Sequence, residues 1–423
     1  MTTAQIVSVV VFAVALGVIV TEKVHRALVA ITGAVLLIVL KVITFDAAMS
    51  HLDFNTLGVL LGMMMFVAVV KQSGVFEFLA VKCAHIAGGN PWRLMLLFAT
   101  LTACLSALLD NVTTVLLIGP MTLTMCKMLD LDPVPFFIVE IMCSNIGGTA
   151  TLVGDPPNIM IGSAAGFSFF DFIMVDAPAV VIIMVAILAV FYFLYGRKMH
   201  VTAEQRDAIM ELDPASYIKK PHLLRMSVAT TILVVAGFML HGALHIESCI
   251  VALAGASALL LLSGESIEES LHDVEWTTLA FFAGLFIIVG SMTETGVIGM
   301  VASWLIEITH GEMFLAMMVL LFGSAIISAF LDNIPFVATM IPILLAMESS
   351  GMDVTPMWWA VSLGACLGGN GSLIGASANV VLSDISRRNG YEITFLHFLK
   401  IGFPLMLLTV VIAAIYMIVR FPV

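Results

Sequence analysis

Ten long apolar stretches punctuate the chain, at 5–21, 27–43, 54–71, 92–109, 174–195, 224–241, 246–263, 276–292, 312–330 and 401–419. A helix needs about 20 apolar residues to cross roughly 30 Å of hydrocarbon, so the pattern predicts an all-α integral membrane protein. Only 11% of the 423 residues are charged, against 61% hydrophobic. No single soluble core hides that much apolar surface. The bilayer is the solvent. A net charge of −12 without a basic stripe excludes nucleic acid as a partner. No Lys or Arg precedes the first apolar stretch, so that stretch is expected to stay as a membrane helix rather than leave as a signal peptide.

Six further stretches, 111–129, 134–150, 156–165, 333–348, 357–368 and 372–383, are shorter and interrupted by Gly, Pro, Asn or Asp. Broken helices are tolerated at membrane depth only where protein or a polar cavity surrounds them, so they mark the working region. They also repeat. Leu109-Asp110-Asn111 returns as Leu331-Asp332-Asn333, Gly62 as Gly284, Gly74 as Gly296 and Pro120 as Pro342, each 222 residues on. After a one-residue deletion the offset becomes 221, pairing Gly147-Gly148 with Gly368-Gly369, Gly154 with Gly375 and Asn158 with Asn379. This is an internal duplication.

Residues 1–196 form the first copy, 197–225 a polar linker, and 226–423 the second copy. The linker holds six of the seventeen Lys and Arg residues, which places it in the cytoplasm and the N-terminus outside the cell. Lys23 and Arg26 follow the first apolar stretch, whereas the corresponding turn near 241–248 has no Lys or Arg; Arg387-Arg388 likewise corresponds to the uncharged 162–168. Equivalent loops therefore lie on opposite sides of the membrane. Inverted repeats of this kind place substrate and ion sites at the midplane, where discontinuous helices meet. Scaffold and transport domains would each draw on both copies.

Glycines let the backbone at a break leave helical geometry and approach a ligand. Half-helix N-termini then face an anion, while freed carbonyls and side-chain oxygens suit a cation. The candidate site comprises Asp110, Asn111 and Thr113 at one tip and Asp332 and Asn333 at the other. Asn145, Gly148, Thr149 and Asn158 come from the first break, and Gly369, Asn370, Gly371 and Asn379 from the second. Carboxylates inside a membrane are costly and usually functional. Asp110, Asp332, Glu140 and Asp155 are the candidates for proton coupling, because a buried carboxylate can bind and release a proton near neutral pH. An ionised Asp capping the next helix is the alternative for the two tips.

No metal or catalytic cluster accompanies these groups. His241 and His245 have i, i+4 spacing but fall in an outer turn, and none of the six cysteines forms a C-x-x-C pair. Cys143 and Cys366 sit beside the breaks at nearly equivalent places and read as packing. The Gly-rich run lacks the Gly-Lys-Ser/Thr ending of a P-loop, so any drive by ATP would need a separate ATPase subunit. No enzyme is indicated.

The run from Asn145 through Gly147-Gly148-Thr149 to Gly154-Asp155-Pro156-Pro157-Asn158, with the two Leu-Asp-Asn tips, resembles the ion transporter superfamily. That group includes arsenite permeases, sodium/proton antiporters of the NhaD type, the pink-eyed-dilution P protein and dicarboxylate/sodium symporters. The resemblance implies two re-entrant hairpins, an elevator-type movement of a transport domain against a scaffold, and commonly a homodimer in the inner (plasma) membrane. Where the symporters carry Ser at each tip, this chain carries Asp. Acidic tips suit a cation, a proton or a neutral hydroxide. The expectation is therefore proton-coupled efflux of a small inorganic solute such as arsenite or antimonite, needing no cofactor beyond a proton or sodium gradient. Sodium/proton antiport, cation-coupled transport of a carboxylate or other anion, and an ion channel are the alternatives.

Overall fold

A computed structural model describes residues 1–21 and 23–422, and all regular structure among them is helical. The first half builds α1 (Thr3–Val20), α2 (Arg26–Val39), α3 (Phe45–Ser50), α4 (Phe54–Gln72), α5 (Val75–Ala87), α6 (Pro91–Ser106), α7 (Asn111–Met128), α8 (Val134–Gly148), α9 (Pro156–Ala165) and α10 (Phe169–Phe191). A short α11 (Ala203–Met210) lies in the linker. The second half builds α12 (Pro221–Leu244), α13 (Ser248–Ser263), α14 (Ile267–His272), α15 (Trp276–Glu294) and α16 (Val297–Ile308). It ends with α17 (Met313–Ser328), α18 (Asn333–Ser349), α19 (Thr355–Gly368), α20 (Ser377–Arg388) and α21 (Phe395–Arg420). Helix for helix, α1–α10 answer to α12–α21.

Among the described residues, six helices are long and apolar enough to cross a membrane. Four of the ten stretches read as full spans are shorter: α2 has 14 residues, and α6, α13 and α17 have 16 each. Sixteen residues reach about 24 Å, less than the hydrocarbon thickness. In α6 and α17 the cause is local, because each stops just short of a Leu-Asp-Asn tip and the chain turns back into α7 or α18. Sequence reading passed over α5 and α16, which lead into those arms; α16 and α17 meet at a bend of 118°. Each lead-in starts at a left-handed glycine, Gly74 (φ 82°) or Gly296 (φ 77°), a conformation that costs any residue with a Cβ. The first helix of the second half, α12, begins at Pro221, inside the polar 197–225 segment.

The halves interlock by exchange. A Cβ at Gly62 on α4 would lie 2.7 Å from the Ala252 backbone on α13, and one at Gly284 on α15 would lie 2.6 Å from the Ala30 backbone on α2. Ala30 and Ala252 are themselves 222 apart, so each half supplies the partner of the other. Absent side chains let the backbones touch, the small-residue packing by which helices associate in lipid. Within each half, Gly147 of α8 rests on Ala103 of α6, and Gly368 of α19 on Ala325 of α17. These contacts press each broken helix against its hairpin arm and carry four polar segments to one place.

Candidate functional site

Both tips are helix starts. Asp110 caps α7, its Oδ1 accepting from the Thr113 backbone N at 2.7 Å and its Oδ2 from the Thr113 hydroxyl at 2.5 Å. Asp332 caps α18, accepting from Ile334 N at 3.1 Å. The capping alternative is therefore what the geometry displays for this pair, and a fixed negative charge at a helix N-terminus is favourable there. Asp332 has a second partner. Arg26, the first residue of α2, places Nη1 3.1 Å from Asp332 Oδ2 and 2.6 Å from Ser377 Oγ, and Nη2 3.4 Å from Thr278 Oγ1. Its guanidinium also lies over the Phe281 ring at 5.2 Å. Arg26 is thus a side chain of the polar centre rather than a loop charge, and its weight as a marker of orientation falls.

The two breaks are braced alike. Asn158 Nδ2 donates to the carbonyls of Gly148 (3.5 Å), Thr149 (3.1 Å) and Thr151 (3.0 Å), and Asn379 Nδ2 to those of Gly369 (2.7 Å) and Ser372 (2.8 Å). Carbonyls released by the end of α8 and α19 are satisfied in this way. Gly148 and Gly369 are needed because the chain folds back on itself. A Cβ on Gly148 would lie 2.6 Å from Gly154 O, and one on Gly369 3.1 Å from the Ala376 Cβ. Gly371 packs on Ala329, and the Thr149 hydroxyl donates to Asn145 O at 2.7 Å. Of the predicted binding residues, these shape the breaks.

The remaining amides meet each other. Asn145 Nδ2 donates to Asn370 Oδ1 at 3.0 Å and Asn379 Oδ1 at 2.9 Å, joining the two breaks directly. Asn111 Nδ2 reaches Asn145 Oδ1 at 3.2 Å and Asp155 Oδ1 at 3.5 Å. Asn333 Nδ2 reaches Asp155 from the other tip, at 3.4 and 3.2 Å. Asp155, 1% exposed, thus sits where the first break and both tips converge. It is not a member of any ion pair among the described residues. Asp110, Asn111, Asp155, Asn333, Arg26 and Glu275 border one cavity of about 20 Å³, room for a single water or small ion. Beside Asp332 a larger cleft of about 290 Å³ opens between α1, Arg26 and α20.

Glu140 is brought elsewhere. It is 2% exposed on α8 and accepts from the Thr122 hydroxyl of α7, five residues before Asn145. The expected equivalence of Cys143 and Cys366 also fails. At the offset of 221 the counterpart of Cys366 is Asn145, and the Cys366 thiol donates to Asn158 Oδ1 at 3.4 Å just as Asn145 donates to Asn379. His241 uses both ring nitrogens on backbone, Phe169 N and Ile246 O, each at 3.1 Å, and no His, Cys, Asp or Glu cluster fit for a metal occurs among the described residues.

Sequence reasoning missed four groups here. Arg26 reads in the sequence as a loop charge. Glu275, half-buried at the cavity, accepts from Thr278 at 2.9 Å; its signal was available, because Asp53 stands 222 residues earlier and bonds Thr56 likewise. Asp176 and Ser362 are fully buried and hydrogen-bonded to one another at 2.7 Å. The signal for Asp176 was a lone acid inside an apolar run.

The family model described as "Citrate transporter" (CitMHS) matches residues 16–364. The chain belongs to the CitMHS citrate transporter family. It is accordingly a membrane transporter, and the superfamily resemblance of its motifs holds. An uncharacterized transporter of Mycobacterium tuberculosis is similar to this CitMHS member, 43% identical over 424 residues and 99% of both chains. The P protein of Mus musculus is 33% identical over 486 residues, covering 95% of this chain and 58% of the P protein. The fold is shared with the YdaH transporter of Alcanivorax borkumensis, at a TM-score of 0.59 and 14% identity over 89% of this chain and 88% of that one.

Proposed function

We propose that this transporter is a proton-coupled secondary carrier working by alternating access, with Asp155 as the group that exchanges a proton or a small cation. The observation that carries this reading is the setting of Asp155: a carboxylate enclosed among amides, with no cationic partner, at the junction of both halves. An unpaired buried carboxylate is stable only with a proton or cation bound. Asp110 and Asp332 already have partners that suit a permanent charge. The solute is small and neutral or cationic, because Asp110, Asp155 and Glu275 outnumber the one arginine around the central cavity. Arsenite and antimonite, as neutral hydroxides moving outward in exchange for protons, meet that description, and sodium does so as a cation.

A carboxylate anion is the second reading, favoured by the citrate transporter family match and by the room beside Asp332 and Arg26. An inverted duplication supports alternating access in either case. On this reading each half crosses the membrane five times, by α1, α2, α4, the broken pair α8–α9 and α10 or their counterparts, and an odd number of crossings returns the second copy upside down. The interlocked α2, α4, α13 and α15 form a frame against which the hairpins and broken helices move as an elevator. On this reading the linker is cytoplasmic, the N-terminus lies outside the plasma membrane, and two frames pair in a homodimer.

Proteoliposomes under an imposed pH gradient test the proposal, with arsenite, sodium and citrate as solutes. Solute flux should follow the gradient and lose that dependence in Asp155→Asn. Flux indifferent to pH, or unaltered by the substitution, would refute it, and currents far above carrier turnover would mean a channel.

A further inference from the structure

The two hydrogen bonds of Ser362 locate a proton that the central site does not use. Ser362 Oγ lies 2.8 Å from Asn158 Oδ1 and 2.7 Å from Asp176 Oδ2. The orientation of Asn158 is fixed, because its Nδ2 faces the carbonyls of Gly148, Thr149 and Thr151; turned over, its oxygen would oppose all of them. Its Oδ1 can therefore only accept. A serine hydroxyl has one hydrogen, and two oxygens at 2.8 Å without a hydrogen between them repel. Ser362 must donate to Asn158 and accept from Asp176. Asp176, 0% exposed and bordered by no Lys or Arg among its recorded partners, is then a carboxylic acid. Its Oδ1 has no hydrogen-bond partner among the described residues, which a neutral acid's carbonyl oxygen withstands far better than a charged carboxylate does.

We propose that Asp176 is a second proton-carrying carboxylate, whose hydrogen holds Ser362 on Asn158 and so sets the brace of the first break. When Asp176 gives its proton to water as hydronium, the Ser362 hydroxyl turns to the new carboxylate. Asn158 Oδ1 then keeps only the Cys366 thiol at 3.4 Å. Asn158 is the clamp on the freed carbonyls beside Gly148, so the proton on Asp176 decides how firmly the break is held. The surroundings allow this. The groups facing Asp176 from packed elements are Ser362 and Cys366 on α19 and Tyr416 on α21, whose hydroxyl donates to Val175 O at 2.6 Å; Arg420, one turn further along α21, lies against Tyr416 rather than Asp176. Glu140 on α8 is turned to Thr122, and His241 on α12 accepts from Phe169 N at the start of α10. None of these supplies a positive charge to hold Asp176 ionised.

Asp176 acts through Asn158 and is a positioning residue. Its link to transport rests on the proton-coupled reading above; its protonation does not. Infrared difference spectra of the purified transporter in liposomes at neutral pH separate the two, recorded in an Asp155→Asn background so that the central carboxyl is silent. Asp176→Asn should remove one protonated-carboxyl band. Ser362→Ala, which keeps the acid but deletes its acceptor, should shift that band without removing it. An unchanged carboxyl region in Asp176→Asn overturns the proposal; if that variant does not fold, an unchanged band in Ser362→Ala does so. In flux assays with Asp155 intact, Asp176→Asn should displace the pH profile while leaving solute affinity at the wild-type value. Loss of affinity with an unmoved profile would make Asp176 merely structural.

Discussion

The pair between Arg26 and Asp332 offers a direct measurement of how tightly the frame grips a hairpin tip. Arg26 begins α2, which is locked to α15 through Ala30 and Gly284, whereas Asp332 is the tip before α18. At 3.1 Å, with side chains 27% and 15% exposed, the gross Coulomb attraction is about 5 kcal/mol at an effective dielectric of about 20. Desolvation and residual water contact remove more than half of it, leaving about 2 kcal/mol for a charge-assisted contact of this type. That corresponds to a factor of about 30 in an equilibrium or rate. Arg26→Gln and Asp332→Asn should each slow solute-linked flux by about that factor, and the double variant should be no slower than either single. The assay is initial flux in proteoliposomes, with rates converted to free energies and closed as a double-mutant cycle, which subtracts the separate contacts of Arg26 to Ser377 and Thr278. If the two losses simply multiply, with coupling below about 0.5 kcal/mol, the latch does not exist in the working protein.

Asn145→Ala removes the donor shared by Asn370 and Asn379 and the acceptor of Asn111, so equilibrium solute binding should weaken about tenfold or more, and Asn370→Ala should do the same; wild-type affinity in both would take the breaks out of the site. Gly284→Ala drives a methyl to 2.6 Å from the Ala30 backbone and should destabilise the folded protein by about 1–3 kcal/mol, read as a lower melting temperature with wild-type solute affinity in the surviving fraction. Cys143→Ser should leave transport intact, whereas Cys366→Ala should impair it and Cys366→Ser should not, since only the hydrogen donated to Asn158 is at stake. Equal behaviour of Cys366→Ala and Cys143→Ser would return Cys366 to packing.

Much of this arrangement was legible in the chain because a duplication writes its geometry twice. The offset of 222 predicted that the Asp110 and Asp332 tips would be equivalent, and glycines at fixed spacing marked where backbones touch. Span lengths misled, because apolar residues fill hairpin arms as readily as full crossings; α6 and α17 look like spans until the Asp that ends them is counted as a turn. Arg26 escaped because charge near an apolar run reads as a loop signal, and only its contacts with Asp332, Ser377 and Thr278 reveal it as part of the polar centre. Asp176 escaped because one acid scarcely alters the hydropathy of a 23-residue helix. The amides of both breaks converge, but their division of labour depends on which nitrogen faces a carbonyl. Asn158 and Asn379 brace while Asn145 bridges, and no spacing encodes that.

The departures from symmetry deserve the greater weight. Under the proposed alternating access, two equivalent halves would supply two packings of similar energy, but equivalence alone gives no chemistry. Several equivalent positions at the centre differ. Asp155 faces an alanine counterpart, Ala376; Asn145 faces Cys366, and Thr149 faces Asn370. A matched pair of carboxylates at 155 and 376 would repel across the junction and demand two cations or protons at once. One carboxylate shared by Asn111 of the first half and Asn333 of the second reports to both tips. Under the proposed role of Asp155, the arrival of a proton or cation there would change the hydrogen bonds of Asn111 and Asn333 together, a single event with consequences on both sides of the duplication. Installing a second acid by Ala376→Asp should for that reason weaken coupling rather than double it.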